Sequence, residues 1–200
     1  FKSDWLPDPS RLKPQVLHIG TLATLVQPGA DVLFDWAITC AEFAPIVFDP
    51  NIRPQVMSDR EKYVAVVEKW VSISSVVKLS DDDCEWLYPG QSAESIATRW
   101  LQGGVALVVV TRGADGLVAY TSDGVVEVAG EKVNVVDTVG AGDTVDAIVV
   151  QGLITDGLLN MRDSVLKDVL HRAAVAAAIT CSRAGAQPPY AHEIRERLGN

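Results

Sequence analysis

The chain has 200 residues, 48% of them hydrophobic, so it is long enough to bury the core of one sizeable domain. Its 17 Lys and Arg residues against 26 Asp and Glu residues give a net charge of −9, which disfavours nucleic acid and anionic membranes as partners. The three cysteines are scattered and no apolar run reaches the ~20 residues of a membrane span, so we expect a cytoplasmic protein without disulfides.

Short apolar runs bounded by Pro, Gly or Asp predict buried strands, and apolar residues at three- and four-residue spacings predict helices. Strands are predicted at 14–20, 45–50, 75–80 and 105–111, followed by a hairpin at 116–130 around the turn "SDG". Helices are predicted at 29–43, 58–72 (with Ser58 or Asp59 as N-cap), 81–88 and 92–104, after the glycine turn near 140, at about Asp163–Cys181, and from about Ala191.

Strands that alternate with helices of this length predict an α/β fold with a mostly parallel sheet. Ligands of such folds bind at the carboxyl ends of the strands. We therefore expect functional residues directly after each predicted strand.

A glycine turn, Gly140 to Gly142, opens the helix that follows the hairpin. Glycine lets another group approach the backbone closely, and the first amides of a helix have no partner within the helix. Such a turn suits a phosphate. The carboxylate of Asp143 beside it would repel that ligand, unless it accepts the proton of a hydroxyl group that attacks the phosphate.

A simpler interpretation of the same stretch is that Asp143 only caps the helix and the glycines only form a tight turn. Two other phosphate motifs are excluded. The chain has no G-x-x-x-x-G-K-[ST] sequence, and "GAGDTV" ends in Val145 and lies too near the C-terminus for a dinucleotide-binding turn.

The sequence resembles the ribokinase-like (phosphofructokinase-B) carbohydrate kinases, and most of all the fructokinases and 2-keto-3-deoxygluconate kinases. The segment "DTVGAGD" is similar to the signature of that family. Five further segments resemble family segments in the right order: "HIGTLA", "FDPNIRP", "VVKLSDDDCEWLYPG", "VVVTRGADG" and "SRAGAQPP".

This resemblance implies a three-layer α/β fold with helices on both faces of a mostly parallel sheet, and one nucleotide-binding kinase domain over residues 1–200. The sequence begins with Phe1 rather than Met and lacks the family's G-G-x-x-x-N turn. We therefore expect the C-terminal two-thirds of a longer protein, without the N-terminal strands and the β-lid that supply most of the sugar specificity.

For catalysis, the resemblance implies that Asp143 is the general base and contacts the sugar, together with Asp49. The amides of Gly140, Ala141, Gly142 and Asp143 are implied to form an anion hole for the transferred phosphoryl group. The implied ATP-binding residues lie in the last part of three predicted strands or directly after them: Asn51, Arg53, Lys78, Ser80, Thr111, Gly113 and Gly116.

The resemblance also implies two cations. Ser80 and Asp83 stand in the places of Asn and Glu in the family's N-x-x-E element, so Asp83 is implied to hold Mg²⁺ through water. A K⁺ site near Asp137 and the segment "AGAQP" is allowed by the same resemblance. The family also allows a homodimer.

The residues themselves leave simpler readings open. The carboxylates of residues 81–83 suit a helix N-terminus. Asn51 and Arg53 can form an ordinary turn with a surface Arg, and the loop "TRGADG" can simply precede a hairpin. Arg112 is either a solvated side chain or a phosphate ligand, and Lys78 either extends to water or meets a phosphate.

We therefore expect an ATP-dependent sugar kinase that phosphorylates a primary hydroxyl, with fructose favoured and 2-keto-3-deoxygluconate next. The alternatives are a nucleoside or other small-alcohol kinase of the same family, and a non-catalytic protein that binds a nucleotide or a sugar.

Overall fold

The structure is a computed structural model that describes residues 2–199. Six strands follow one another in the sheet in chain order: β1 (Leu17–Gly20), β2 (Ile46–Asp49), β3 (Val76–Ser80), β4 (Leu107–Thr111), β5 (Leu117–Thr121) and β6 (Gly124–Val128). The pairs β1–β2 and β2–β3 are parallel and β5–β6 is antiparallel. The predicted α/β class and mostly parallel sheet are confirmed.

The helices are α1 (Pro9–Leu12), α2 (Leu22–Leu25), α3 (Gly29–Cys40), α4 (Arg60–Val71), α5 (Asp81–Leu87), α6 (Ala93–Gln102), α7 (Ala141–Asp156), α8 (Asp163–Cys181) and α9 (Ala191–Leu198). The chain forms two compact units, and the boundary between Val109 and Val110 falls inside β4. The first unit contains β1–β3 and α1–α6, and the second contains β5, β6 and α7–α9. That residues 1–200 form a single domain stays a prediction.

In the first unit, buried strands pack on aromatic helix residues. Ile46, Val47 and Phe48 of β2 are fully buried, as continuous apolar runs in parallel sheets predict. The Phe48 ring stacks on Trp70 of α4 with centroids 6.0 Å apart, and Phe34 of α3 meets the same indole edge-on at 5.0 Å. These contacts fix α3 and α4 against the strand that leads to Asp49.

Two longer helices of the first unit, α4 and α6, begin at residues whose side chains bind free backbone amides. Asp59 Oδ1 accepts from the Lys62 N–H at 3.2 Å, so Asp59 rather than Ser58 is the N-cap of α4. Ser92 Oγ accepts from the Ser95 N–H at 3.1 Å and caps α6. Both caps agree with the predicted helix starts.

In the second unit, two glycines let the segment before β5 lie against the end of β6 and the residues after it. Gly116 has φ +97°, and a Cβ there would lie 2.1 Å from the Val128 carbonyl oxygen. A Cβ on Gly130 would lie 2.2 Å from the Ala114 carbonyl oxygen. Only glycine fits either position.

The two long helices of the second unit pack closely at Gly152 of α7, where a Cβ would lie 2.9 Å from Val169 Cγ2 of α8. The predicted bounds of α8 agree with those observed. Over residues 2–199, none of the helices combines the length and apolar character that crossing a membrane requires.

Candidate active site

At the carboxyl ends of β2 and β3, a buried ion pair joins two of the predicted site residues. Lys78 Nζ lies 2.9 Å from Asp49 Oδ2, and these residues are only 5% and 2% exposed. Parallel pairing of β2 with β3 brings the two side chains together. Burial of both charges is tolerated because each neutralises the other.

Replacement of Lys78 by Met is expected to lower the free energy of unfolding by about 3–5 kcal/mol, because it leaves the buried Asp49 carboxylate without its cation. Asp49→Asn in the same chain should recover part of the loss. Urea unfolding of the two single variants and the double variant measures the coupling. Additive losses would show that the pair is not coupled.

The loop after β2 holds its predicted residues through local hydrogen bonds. Asn51 has φ +39°, and its N–H donates to Asp49 Oδ1 at 2.9 Å. The Arg53 guanidinium donates to the Ile52 carbonyl oxygen at 2.9 Å. The backbone N–H of Arg53 donates to the Tyr63 hydroxyl at 3.0 Å. The structure thus groups Asp49, Asn51 and Arg53 in one turn, and their binding of ATP or sugar stays a prediction.

Asp83 connects that loop to the start of α5. Its Oδ1 accepts from the Ile52 N–H and its Oδ2 from the Ser80 N–H, each at 3.0 Å. In return the Asp83 N–H donates to Ser80 Oγ at 3.0 Å, which completes a capping box. The helix-cap interpretation of Asp83 is confirmed, and its role toward Mg²⁺ stays a prediction.

In the second unit, a cleft of about 570 Å³ gathers residues from the predicted nucleotide loop after β4 and from the glycine turn, whereas Asn51, Arg53, Lys78 and Ser80 are not part of its lining. Thr111, Gly113 and Gly116 line it together with Ala141 and Gly142 of the glycine turn. Its volume lies in the ~300–1,000 Å³ range of small-molecule sites. Most of the remaining lining is small or apolar: Ala114, Leu117, Gly130, Val133, Val135, Val145, Ala174, Ala177 and Ala178.

The first turn of α7 presents its backbone to solvent beside this cleft. Gly140 has φ +82° and a Cβ there would lie 2.9 Å from Ala186 Cβ, so the turn requires glycine. Among residues 2–199, no acceptor binds the amides of Gly140, Gly142 and Asp143, whereas the Ala141 N–H donates to the Thr138 carbonyl oxygen at 3.2 Å. The Asp143 side chain is exposed.

Asp137 connects the segment before α7 to the loop after α8 through two hydrogen bonds. Its Oδ1 accepts from the Val139 N–H at 3.0 Å and its Oδ2 from the Gly185 N–H at 2.9 Å. These two N–H groups, that of Val139 first, lower the pKa of the Asp137 carboxyl. The structure therefore brings together Asp137 and the "AGAQP" segment (residues 184–188), as predicted.

Because its folded pKa is depressed, Asp137 stabilises the protein above its unfolded pKa near 4, and this stabilisation is lost as the pH falls through the folded value. Asp137→Asn should lower the melting temperature at pH 7, since the amide nitrogen of Asn meets a backbone donor. The difference from the wild type should shrink below about pH 4. Melting curves between pH 3 and 7 test this, and a difference independent of pH would contradict it.

The sequence predictions missed several residues of the cleft. Ala177 and Ala178 come from one face of α8, and Gly130 comes from the loop after the hairpin. The three- and four-residue spacing of small residues in α8 was the available signal, but packing against another helix produces the same spacing.

Comparison with known proteins gives the chain a family context. Residues 8–193 match the family model described as pfkB family carbohydrate kinase, in agreement with the predicted resemblance. A fructokinase of Rhizobium leguminosarum bv. trifolii is 38% identical over 148 residues, which are 74% of this chain and 45% of that protein. The chain spans about half the length of the curated relatives it matches.

Solved structures show the same fold. A fructokinase from Vibrio cholerae O395, in a form with bound fructose, ADP and calcium ion, superposes with a TM-score of 0.82 at 27% identity, over 93% of this chain and 60% of that one. An ATP-bound fructokinase from Xylella fastidiosa gives a TM-score of 0.88 at 22% identity, over 100% and 67%. The latter likeness concerns the three-layer α/β fold alone.

Proposed function

Because the chain belongs to the pfkB family of carbohydrate kinases, we propose that the full-length protein transfers the γ-phosphoryl group of ATP to a primary hydroxyl of a sugar. One observation carries the proposal: Thr111, Gly113 and Gly116 line the same cleft as the glycine turn that directly precedes Asp143. Fructose is the proposed acceptor, since relatives from several organisms are fructokinases. 2-Keto-3-deoxygluconate is the next candidate.

The chemistry assigned to Asp143 is general base catalysis. Its exposed carboxylate takes the proton of the attacking hydroxyl as that oxygen bonds to the γ-phosphorus. The bond between the γ-phosphorus and the bridging oxygen breaks, and its electron pair leaves with ADP. An exposed position makes the carboxylate accessible to a bound alcohol.

The anion hole is assigned to the first turn of α7. The amides of Gly140, Gly142 and Asp143 have no acceptor among residues 2–199, so each can donate to oxygens of the transferred group. The Ala141 N–H joins them only by giving up its 3.2 Å bond to Thr138. The partial positive charge at the helix start favours the same anion.

Two carboxylates have oxygens suited to the proposed cations. Asp83 and Asp137 each accept two backbone N–H groups out of the about four that a carboxylate can accept. Asp83 would therefore hold Mg²⁺ through water, and Asp137 would contribute to K⁺. Bound Mg²⁺ supplies charge neutralisation on the phosphates.

The other predicted residues remain part of the proposal. Asn51, Arg53, Lys78 and Ser80 are proposed ATP-binding residues, and Asp49 is a proposed sugar-binding residue. Their grouping at the carboxyl ends of β2 and β3 supports this assignment, because ligands bind there in parallel sheets. A cytoplasmic location and a homodimer also remain predictions.

The test is an assay of the full-length protein with radiolabelled ATP against a panel of sugars and nucleosides. We expect transfer of label to fructose, or to 2-keto-3-deoxygluconate. Preferred transfer to adenosine would replace the sugar kinase by a nucleoside kinase. Tight ADP binding without transfer to any acceptor would favour a non-catalytic nucleotide-binding protein.

A further inference from the structure

A buried pair of hydroxyl groups connects α7 to α8. Thr144 and Thr180 are 5% and 0% exposed, and their Oγ1 atoms lie 2.9 Å apart. Threonine hydroxyls are rarely placed at fully buried contacts between helices, because each must find a partner there. Each of these two hydroxyl groups lies within hydrogen-bond distance of the other and of a backbone carbonyl oxygen.

The pair ends on the glycine turn. Thr144 Oγ1 lies 2.8 Å from the Gly140 carbonyl oxygen, which also accepts the Thr144 N–H at 2.9 Å. Thr180 Oγ1 lies 3.1 Å from the Ala176 carbonyl oxygen within α8. The two hydroxyls have two protons for these three contacts. The Gly140 carbonyl is held through both threonines when Thr180 donates to Thr144 Oγ1 and Thr144 donates to the Gly140 oxygen.

The backbone of Gly140 has φ +82°, unlike the residues of the helix that it precedes, so contacts outside the residue have to stabilise it. Glycine adopts positive and negative φ about equally readily, so contacts with neighbouring groups have to select this conformation. The Thr144 hydroxyl fixes the carbonyl of Gly140, and Thr180 fixes that hydroxyl. The amides assigned to the anion hole belong to the same turn.

We propose that Thr180 is a positioning residue for phosphoryl transfer, acting through Thr144 to hold the Gly140–Asp143 turn. The proposal rests on the proposed kinase function. Thr180 does not line the cleft, although Ala177, Ala178 and Cys181 of the same helix do. Its hydroxyl therefore affects the geometry of the turn and not the walls that contact the nucleotide.

Valine and serine variants separate hydrogen bonding from shape. Thr180→Val keeps the branched shape and removes the hydroxyl, whereas Thr180→Ser keeps the hydroxyl. Ser74→Ala is the matched control: Ser74 Oγ donates to the Trp70 carbonyl oxygen at 2.8 Å, is buried, and lies before β3, at the end opposite Lys78 and Ser80.

In the full-length protein, Thr180→Val is expected to lower kcat about 10- to 100-fold with less than about a twofold change in the KM for ATP. Thr180→Ser should keep kcat within about threefold of the wild type. Ser74→Ala should lose stability and keep kcat. Wild-type kcat in Thr180→Val, or an equal loss of kcat in Ser74→Ala, would overturn the proposal.

A second measurement does not depend on activity. The Thr144 amide, bonded to Gly140, should exchange its hydrogen about 10-fold faster in Thr180→Val than in the wild type, and at the wild-type rate in Thr180→Ser. If the wild type phosphorylates none of the acceptors, the kinase proposal fails. Faster exchange of the Thr144 amide in Thr180→Val would still show that Thr180 stabilises the Gly140–Asp143 turn. Unchanged exchange at Thr144 overturns the hold, whatever the activity.

Discussion

Asp143→Asn is expected to lower the kcat of the full-length protein by about 10²- to 10⁴-fold, because asparagine has the same shape and cannot accept the proton of the sugar hydroxyl. The affinity for ATP should rise or stay the same, since the substitution removes a negative charge beside the amides assigned to the phosphate. Steady-state kinetics and calorimetric titration with ATP measure the two effects separately.

The matched control is Asp156→Asn, which makes the same substitution at the opposite end of α7. It should leave kcat unchanged within about twofold. If Asp143→Asn kept kcat within a factor of ten of the wild type, Asp143 would not be the base, and its carboxylate would serve only as a negative charge in the first turn of α7.

Gly116→Ala is expected to lower the free energy of unfolding by at least about 3 kcal/mol, with loss of ATP binding. The added Cβ would lie 2.1 Å from the Val128 carbonyl oxygen and 2.5 Å from the Gly130 nitrogen, and the residue has φ +97°. Both obstacles are backbone atoms, so the hairpin base has to separate from the loop that follows it. Urea unfolding and ATP titration measure the loss.

Gly113→Ala in the same loop provides the comparison. Gly113 also has a positive φ, +53°, but nothing lies within 4 Å of its added Cβ. Gly113→Ala should therefore lower the free energy of unfolding by only about 1–2 kcal/mol, which is the cost of holding a residue with a Cβ at positive φ. Equal losses in the two variants would show that the close approach of Gly116 to the hairpin does not matter.

Hydrophobic pattern and capping chemistry account for much of what could be predicted of the fold. The continuous apolar runs at β2, β3 and β4 have one dominant explanation, a strand buried on both faces. The short helices α1 and α2, of four residues each, were not predicted because a single turn shows no periodicity.

Less of the candidate site than of the fold could be predicted from short stretches of the sequence. Thr111, Gly113 and Gly116 could be located because they follow the clearest strand and match a loop motif. The Lys78–Asp49 pair and the Thr144–Thr180 pair could not, because each joins residues distant in the chain whose contact depends on packing. A charge or a hydroxyl group in an apolar run indicates that the side chain has a partner, but the sequence does not show which residue that partner is.

The most direct test is a crystal structure of the full-length protein with fructose, ADP and an aluminium fluoride mimic of the transferred group. The fluoride should accept the N–H groups of Gly142 and Asp143, with the Asp143 carboxylate about 2.6–3.2 Å from the primary hydroxyl of the sugar. A mimic bound away from the start of α7, or an Asp143 carboxylate turned from the sugar, would contradict the account.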